Sequence, residues 1–245
     1  MNTYPTLQGE LKNDYSDMES NNINIKAEMR LGFIRKVYGI LSAQLLLTTI
    51  FSGIACISEA VKSFLLDHFG ITCLMAAFAI ILPFVIVCCP GSMRKVPQNY
   101  IILFLFTFAE SYLVAMVCCT TNPSIVFMAA CMTCCLCVSL TIYAITTKTD
   151  FTTKGGILFI LCCAVIMFSI FGMFTKNKTF HVIICCLGII CFGFYLLYDT
   201  QLIIGTKSEL IEEDDYILGS FILYTDIINI FLKILEILKM FSSQG

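Results

Sequence analysis

The chain has 245 residues, of which 58% are hydrophobic and only 13% charged, with a formal net charge of −2 and a mean hydropathy of +0.89. A water-soluble domain carries roughly a quarter charged residues, so half that share leaves too little polar surface to cover a globule in water. The near-neutral balance supplies no basic field for nucleic acid. Soluble enzyme, nucleic-acid binder and disordered regulator are excluded together, which leaves an all-α polytopic membrane protein with the lipid bilayer as its first partner.

Residues 1–36 are polar, rich in Asn, Asp, Glu and Lys, and read as a disordered or loosely helical tail. No charged n-region followed by an apolar h-region opens the chain, so the first span is expected to insert by itself. Seven apolar runs follow, at 37–57, 71–89, 100–119, 125–146, 156–175, 181–204 and 217–240, each near the ~20 residues that cross a bilayer. The organisation expected is thus a tail over 1–36 and a bundle of seven transmembrane helices over 37–241. Pro90, Pro97 and Pro123 punctuate the connectors, while Pro83 lies within a span. Every connector is short, so any chemistry must take place inside the helical bundle.

Basic residues near the span ends set the orientation. With the N-terminus in the cytosol, nine Lys and Arg residues fall on the inner side and four on the outer side. The final run carries Lys233, Glu236 and Lys239 in its last turns, so it either spans or dips in and returns.

The fifteen cysteines lie in or at the ends of apolar runs, as at Cys118-Cys119 and Cys185-Cys186, and read as reduced packing residues. Cys131 to Cys137 contains a CxxC spacing, but mid-span and with no histidine or second CxxC beside it, it does not form a zinc motif. His68 and His181 are too few and too far apart for a metal site. The acidic stretch 209–215 reads as a solvated loop, and Asp150 as the cap of the following helix. The Asn177-Lys-Thr179 sequon sits in a loop too short to lift it away from the membrane.

Against this apolar background three intramembrane acids stand out: Glu110, Asp199 and Asp226. Acids at membrane depth are expensive and mark a pathway, a relay or a partner. Asp199 lies five residues before the end of the sixth run, about 7.5 Å from it, and Asp226 nine residues into the seventh, about 13 Å deep. Consecutive spans joined by a short connector are antiparallel neighbours, so these two carboxyls can meet. Glu110 lies at a similar depth on the third run. Two close carboxylates in a low dielectric share a proton and titrate as a pair. Without that proton they offer oxygen ligands to a cation such as Ca²⁺. Arg94 and Lys95, at the inner edge, are the cations available to hold the ionised form. An intramembrane aspartyl protease would also use two aspartates, but Asp226 stands in Leu-Tyr-Thr-Asp without the Gly-x-Gly-Asp or Pro-Ala-Leu of that class, and no enzyme activity is expected.

Read together, these stretches resemble the transmembrane Bax inhibitor motif family, most closely its lifeguard and Golgi anti-apoptotic branches. The resemblance rests on FIRKVYGILSAQLLLT at 33–48, RKVPQNY at 94–100, FTFAE at 106–110 and YAITTKTDFTTKGG at 143–156. It continues through YDTQLIIG at 198–205, EDDYILGS at 213–220 and LYTDIINIFLKIL at 223–235. It implies a Bax-inhibitor-like bundle with its last helix central, located in endoplasmic reticulum, Golgi or related membranes. It further implies a pH-sensitive Ca²⁺ leak that lowers stored Ca²⁺ and protects against cell death. On this likeness Asp199 and Asp226 are the pH sensor and gate and transient Ca²⁺ ligands, Arg94 is the latch, and Glu110 matches the family's third-span glutamate. No cofactor is implied, Ca²⁺ being the permeant ion. A non-conducting regulator of apoptosis or of other channels, acting through contacts with membrane proteins, is the alternative.

Overall fold

The computed structural model describes residues 4–88, 95–175, 177–205 and 215–242. Among them the chain forms eight α-helices: α1 (Tyr4–Ile57), α2 (Glu59–Asp67), α3 (Phe69–Cys88), α4 (Gln98–Cys119), α5 (Pro123–Thr146), α6 (Gly155–Met173), α7 (Lys178–Ile204) and α8 (Tyr216–Ser242), with a 3₁₀ turn at Thr152–Lys154. Six of these, α1 and α3 to α7, are long and apolar enough to cross a membrane. The helical membrane bundle read from the sequence is the fold observed, and α8, 27 residues long, supplies the seventh long helix.

Local chemistry sets most of the boundaries. Asn122 caps α5, its Oδ1 accepting the Ser124 N–H at 3.0 Å, with Pro123 in the first turn where no N–H is needed. Asn177, the sequon residue, caps α7 in the same way through the Thr179 N–H at 3.0 Å. Gly205 ends α7 at φ 69°, the left-handed cap that glycine adopts at no steric cost. Two stretches differ from the sequence pattern. The polar segment before residue 37 is helical from Tyr4 onward and runs into the first span without a break, for no proline follows Pro5 to stop it. The 58–70 connector holds α2, capped by Ser58 and seated on the bundle through Leu65, which joins Ala55, Tyr112, Ala115 and Cys119.

α8 occupies the middle. It packs against α7, α1, α5 and, over a shorter length, α4. At one end Tyr216 meets Tyr100 of α4, hydroxyl to hydroxyl at 3.3 Å. At the other, Lys239 Nζ donates to Thr120 Oγ1, just beyond the last turn of α4, at 3.1 Å. Its 27 residues rise about 40 Å, so the last helix traverses the bundle and does not turn back. Around it stand two groups, α1 to α4 on one side and α5 to α7 on the other. Where the groups face each other, α1 and α5 leave an apolar cavity of about 760 Å³ floored by Ile227, Ile228 and Phe231 of α8.

Candidate functional site

Antiparallel α7 and α8 approach closely at two glycines. A β-carbon on Gly219 would lie 3.5 Å from Ile203 Cγ1, and one on Gly188 would lie 3.2 Å from Lys233 Cγ. These contacts fix the register of the pair, and that register brings Asp199 and Asp226 within about one turn of each other along the helices. Both are buried, at 8% and 6% exposure. Their carboxyl groups face each other across the α7–α8 seam, close enough for each to perturb the other, while no hydrogen-bond partner reaches Asp226 Oδ2. Ionised carboxylates only accept, so a bond between two of them requires a proton held between them. Side chains from three helices surround this pair: Cys137 of α5, Cys162 of α6, and Cys191, Tyr195 and Tyr198 of α7. Among the described residues no three His, Cys, Asp or Glu side chains converge as a metal cage. A cation at the pair would therefore have two carboxyls and whatever water it carries as ligands.

The third acid does not join them. Glu110 of α4 is partly buried and lies near Tyr224, which is two residues from Asp226 and so on the far side of α8. There α1, α4 and α8 share a row of polar groups. Gln44 Nε2 donates to Thr107 Oγ1 at 2.8 Å, and Thr48 Oγ1 lies 2.9 Å from Ser111 Oγ and 2.8 Å from Tyr224 Oη. Arg94, the expected latch, lies outside the described residues.

Two residues that the sequence reading did not single out hold the end of α7. Arg30 of α1 donates from Nη2 to the Leu202 carbonyl at 2.6 Å and stacks over Phe33, 4.8 Å from its centroid. It thus satisfies one of the carbonyls that a helix C-terminus leaves open. Gln201, fully buried, fastens the α5–α6 connector to α7. Its Oε1 accepts the Phe151 N–H at 2.9 Å, and its Nε2 donates to the carbonyls of Thr149 at 3.0 Å and Ala144 at 3.3 Å. Next to it Tyr198 rests on Gly155, where a β-carbon would lie 3.3 Å from the phenol oxygen. The only sequence trace of Gln201 is its place in YDTQ, and Arg30 is one of several basic residues at the first span. Asp150 does not cap α6, which begins after Lys154 without a side-chain cap; its Oδ1 instead closes a turn at the start of the 3₁₀ segment, accepting the Thr152 N–H at 2.9 Å and hydroxyl at 2.6 Å.

The sequence matches the family described as inhibitor of apoptosis-promoting Bax1 over residues 30–243. It is 34% identical over 215 residues to human protein lifeguard 3, covering 86% of this chain and 69% of that one. The mouse protein of the same name is 32% identical over 214 residues, with the same coverage. A BI1-like protein of Arabidopsis thaliana is 38% identical over 218 residues, covering 86% of this chain and 82% of the plant protein.

Proposed function

Since the chain belongs to the family of inhibitors of apoptosis-promoting Bax1 and is a multi-pass membrane protein, we propose that it is a pH-sensitive Ca²⁺ leak channel of an intracellular membrane, endoplasmic reticulum or Golgi. Its N-terminus faces the cytosol, and it regulates cell death through the Ca²⁺ content of the store. The observation that carries this reading is the pair of buried carboxyls, Asp199 and Asp226, that face each other on adjacent packed helices. That contact persists only while a proton is shared. As pH rises and the proton leaves, two like charges in a low dielectric repel, and α7 and α8 separate at the seam. The ionised pair then presents oxygens to Ca²⁺ as it passes, and Arg94 is the proposed latch on that form. Glu110 supplies a further negative charge on the cation path.

The test is Ca²⁺ flux from proteoliposomes across the acid-to-neutral range. Wild type should show a pH step. Asp226→Asn, whose amide donates to Asp199 with no shared proton, should flatten it. No flux above empty vesicles would remove the channel reading. What would then remain is the second reading, a non-conducting regulator of apoptosis, which the family's description favours and which predicts cytoprotection that survives both Asp→Asn changes.

A further inference from the structure

The polar row on the far side of α8 is short of hydrogen-bond donors, and a proton count shows it. Thr107 Oγ1 donates its one proton to the Leu103 carbonyl at 2.8 Å. It must therefore accept from Gln44, which fixes the Gln44 amide with Nε2 towards Thr107 and Oε1 at the other corner. Thr48 donates its one proton to the Gln44 carbonyl at 3.0 Å, so the Ser111 and Tyr224 hydroxyls, 2.9 and 2.8 Å away, both donate to it. Every hydroxyl proton in the trio is then spent on a protein acceptor, the Ser111 and Tyr224 hydroxyls also lying within reach of each other. Gln44 Oε1 is buried without a partner in a side chain only 5% exposed. Two turns along the same face of α1, Ser52 Oγ is also buried, with only the weakly donating Cys118 thiol beside it. The Glu110 carboxyl lies near Tyr224 on the same side of α8.

A buried acceptor left without a donor is costly, and a membrane interior supplies no solvent to relieve it. Two on one seam, Gln44 Oε1 and Ser52 Oγ, call for a ligand that gives protons or positive charge. We infer that the seam of α1, α4 and α8 is an internal hydrated site, built by Gln44, Thr48, Ser52, Ser111 and Tyr224, through which the cation crosses on the face of the last helix opposite the aspartate pair. The site itself rests on the donor count alone, whereas its place on the cation's route rests on the channel reading. Gln44 to Ser52 covers about 12 Å of helix, and Thr48 and Ser52 also line the cavity between α1 and α5. The seam therefore opens sideways into a larger space at two of its members.

Hydroxyl radicals generated by radiolysis oxidise a side chain only where water touches it, and Tyr224 is fully buried by protein. In the full-length protein, in detergent or nanodiscs, Tyr224 should be labelled in wild type. Labelling should fall several-fold in Gln44→Leu and in the milder Ser52→Ala, and return in Gln44→Glu, which keeps an acceptor at the same place. Terbium, a luminescent stand-in for Ca²⁺, separates the occupants. Tyrosine-sensitised emission that Gln44→Leu abolishes assigns a resident cation, and its absence with labelling intact assigns water alone. In proteoliposomes Gln44→Leu should lower flux by the same factor at every pH and leave the pH step in place, since the pair is untouched. An unlabelled Tyr224 in wild type overturns the site. A labelled Tyr224 with flux indifferent to Gln44→Leu overturns its place on the path. Should wild type fail to conduct, the channel reading falls, and the labelling alone decides the site.

Discussion

Val37 Cγ2 lies 3.1 Å from the point where a β-carbon on Gly219 would stand, so α8 touches α1 at a place with room for no side chain. Ile203 closes the same spot from α7, and one glycine therefore holds three helices at their closest approach. Gly219→Val should destabilise the bundle by about 1–3 kcal/mol, the usual cost of overpacking a filled core. Gly39→Ala, on the same α1 with open space around it, should be close to neutral. Thermal unfolding of the two variants in the same detergent compares them directly, and equal midpoints would contradict the packing described.

The contact between Asp199 and Asp226 is one interaction shared by two side chains, so removing it twice should cost no more than removing it once. Asp199→Asn and Asp226→Asn are each expected to flatten the pH dependence of flux, and the double variant to resemble either single one. The sign follows from the shared proton. The contact is complete at pH values where the pair keeps that proton, and it is lost as pH rises through its release. Additive effects in a double-mutant cycle would mean that the two groups act apart.

Gln201 is the tie between the α5–α6 connector and α7. In Gln201→Leu the amide of Phe151 should exchange with deuterium roughly fivefold to tenfold faster, which is the scale of one lost hydrogen bond. Amides in the middle of α5 should keep their rates. Unchanged exchange at Phe151 would show that the aromatic contacts of that residue with Tyr143 and Phe194 are enough to hold it.

Gly205 adopts φ 69°, and the Arg30 guanidinium stands 2.6 Å from where its β-carbon would be. Gly205→Ala should therefore cost about 1–2 kcal/mol for the left-handed backbone alone, and more for displacing Arg30 from the Leu202 carbonyl. Gly53→Ala, in open space on α1, is the matching control.

Much of this was legible in the residues. Spans of about twenty apolar residues announce themselves through hydropathy, and only the first span, α2 and the fate of the final run needed the structure. The helix over Glu59–Asp67 was hidden because nine residues with one buried leucine leave almost no periodic trace. Asp199 and Asp226 were legible as a pair because charge is rare here and the connector between their helices is short. Glu110 shows the limit of that reasoning: depth along a helix follows from counting residues, but the face it occupies depends on how the helix is rotated among its neighbours. Gln201 and Arg30 were illegible for another reason. Each works by reaching backbone carbonyls or amides, and any residue can offer those, so no motif records the partner.

The cavity between α1 and α5 has a mechanical meaning. Because those two helices stand apart across it, the helices around α8 fall into two blocks, joined through α8 and at one end by the Arg30–Leu202 hydrogen bond. Tyr224 engages one block through Thr48, and Asp226, two residues on, engages the other through Asp199. A rigid shaft cannot turn beneath one block and stay still beneath the other. A displacement of α8 at the Asp226 contact would therefore be carried to the Thr48 contact by the helix itself.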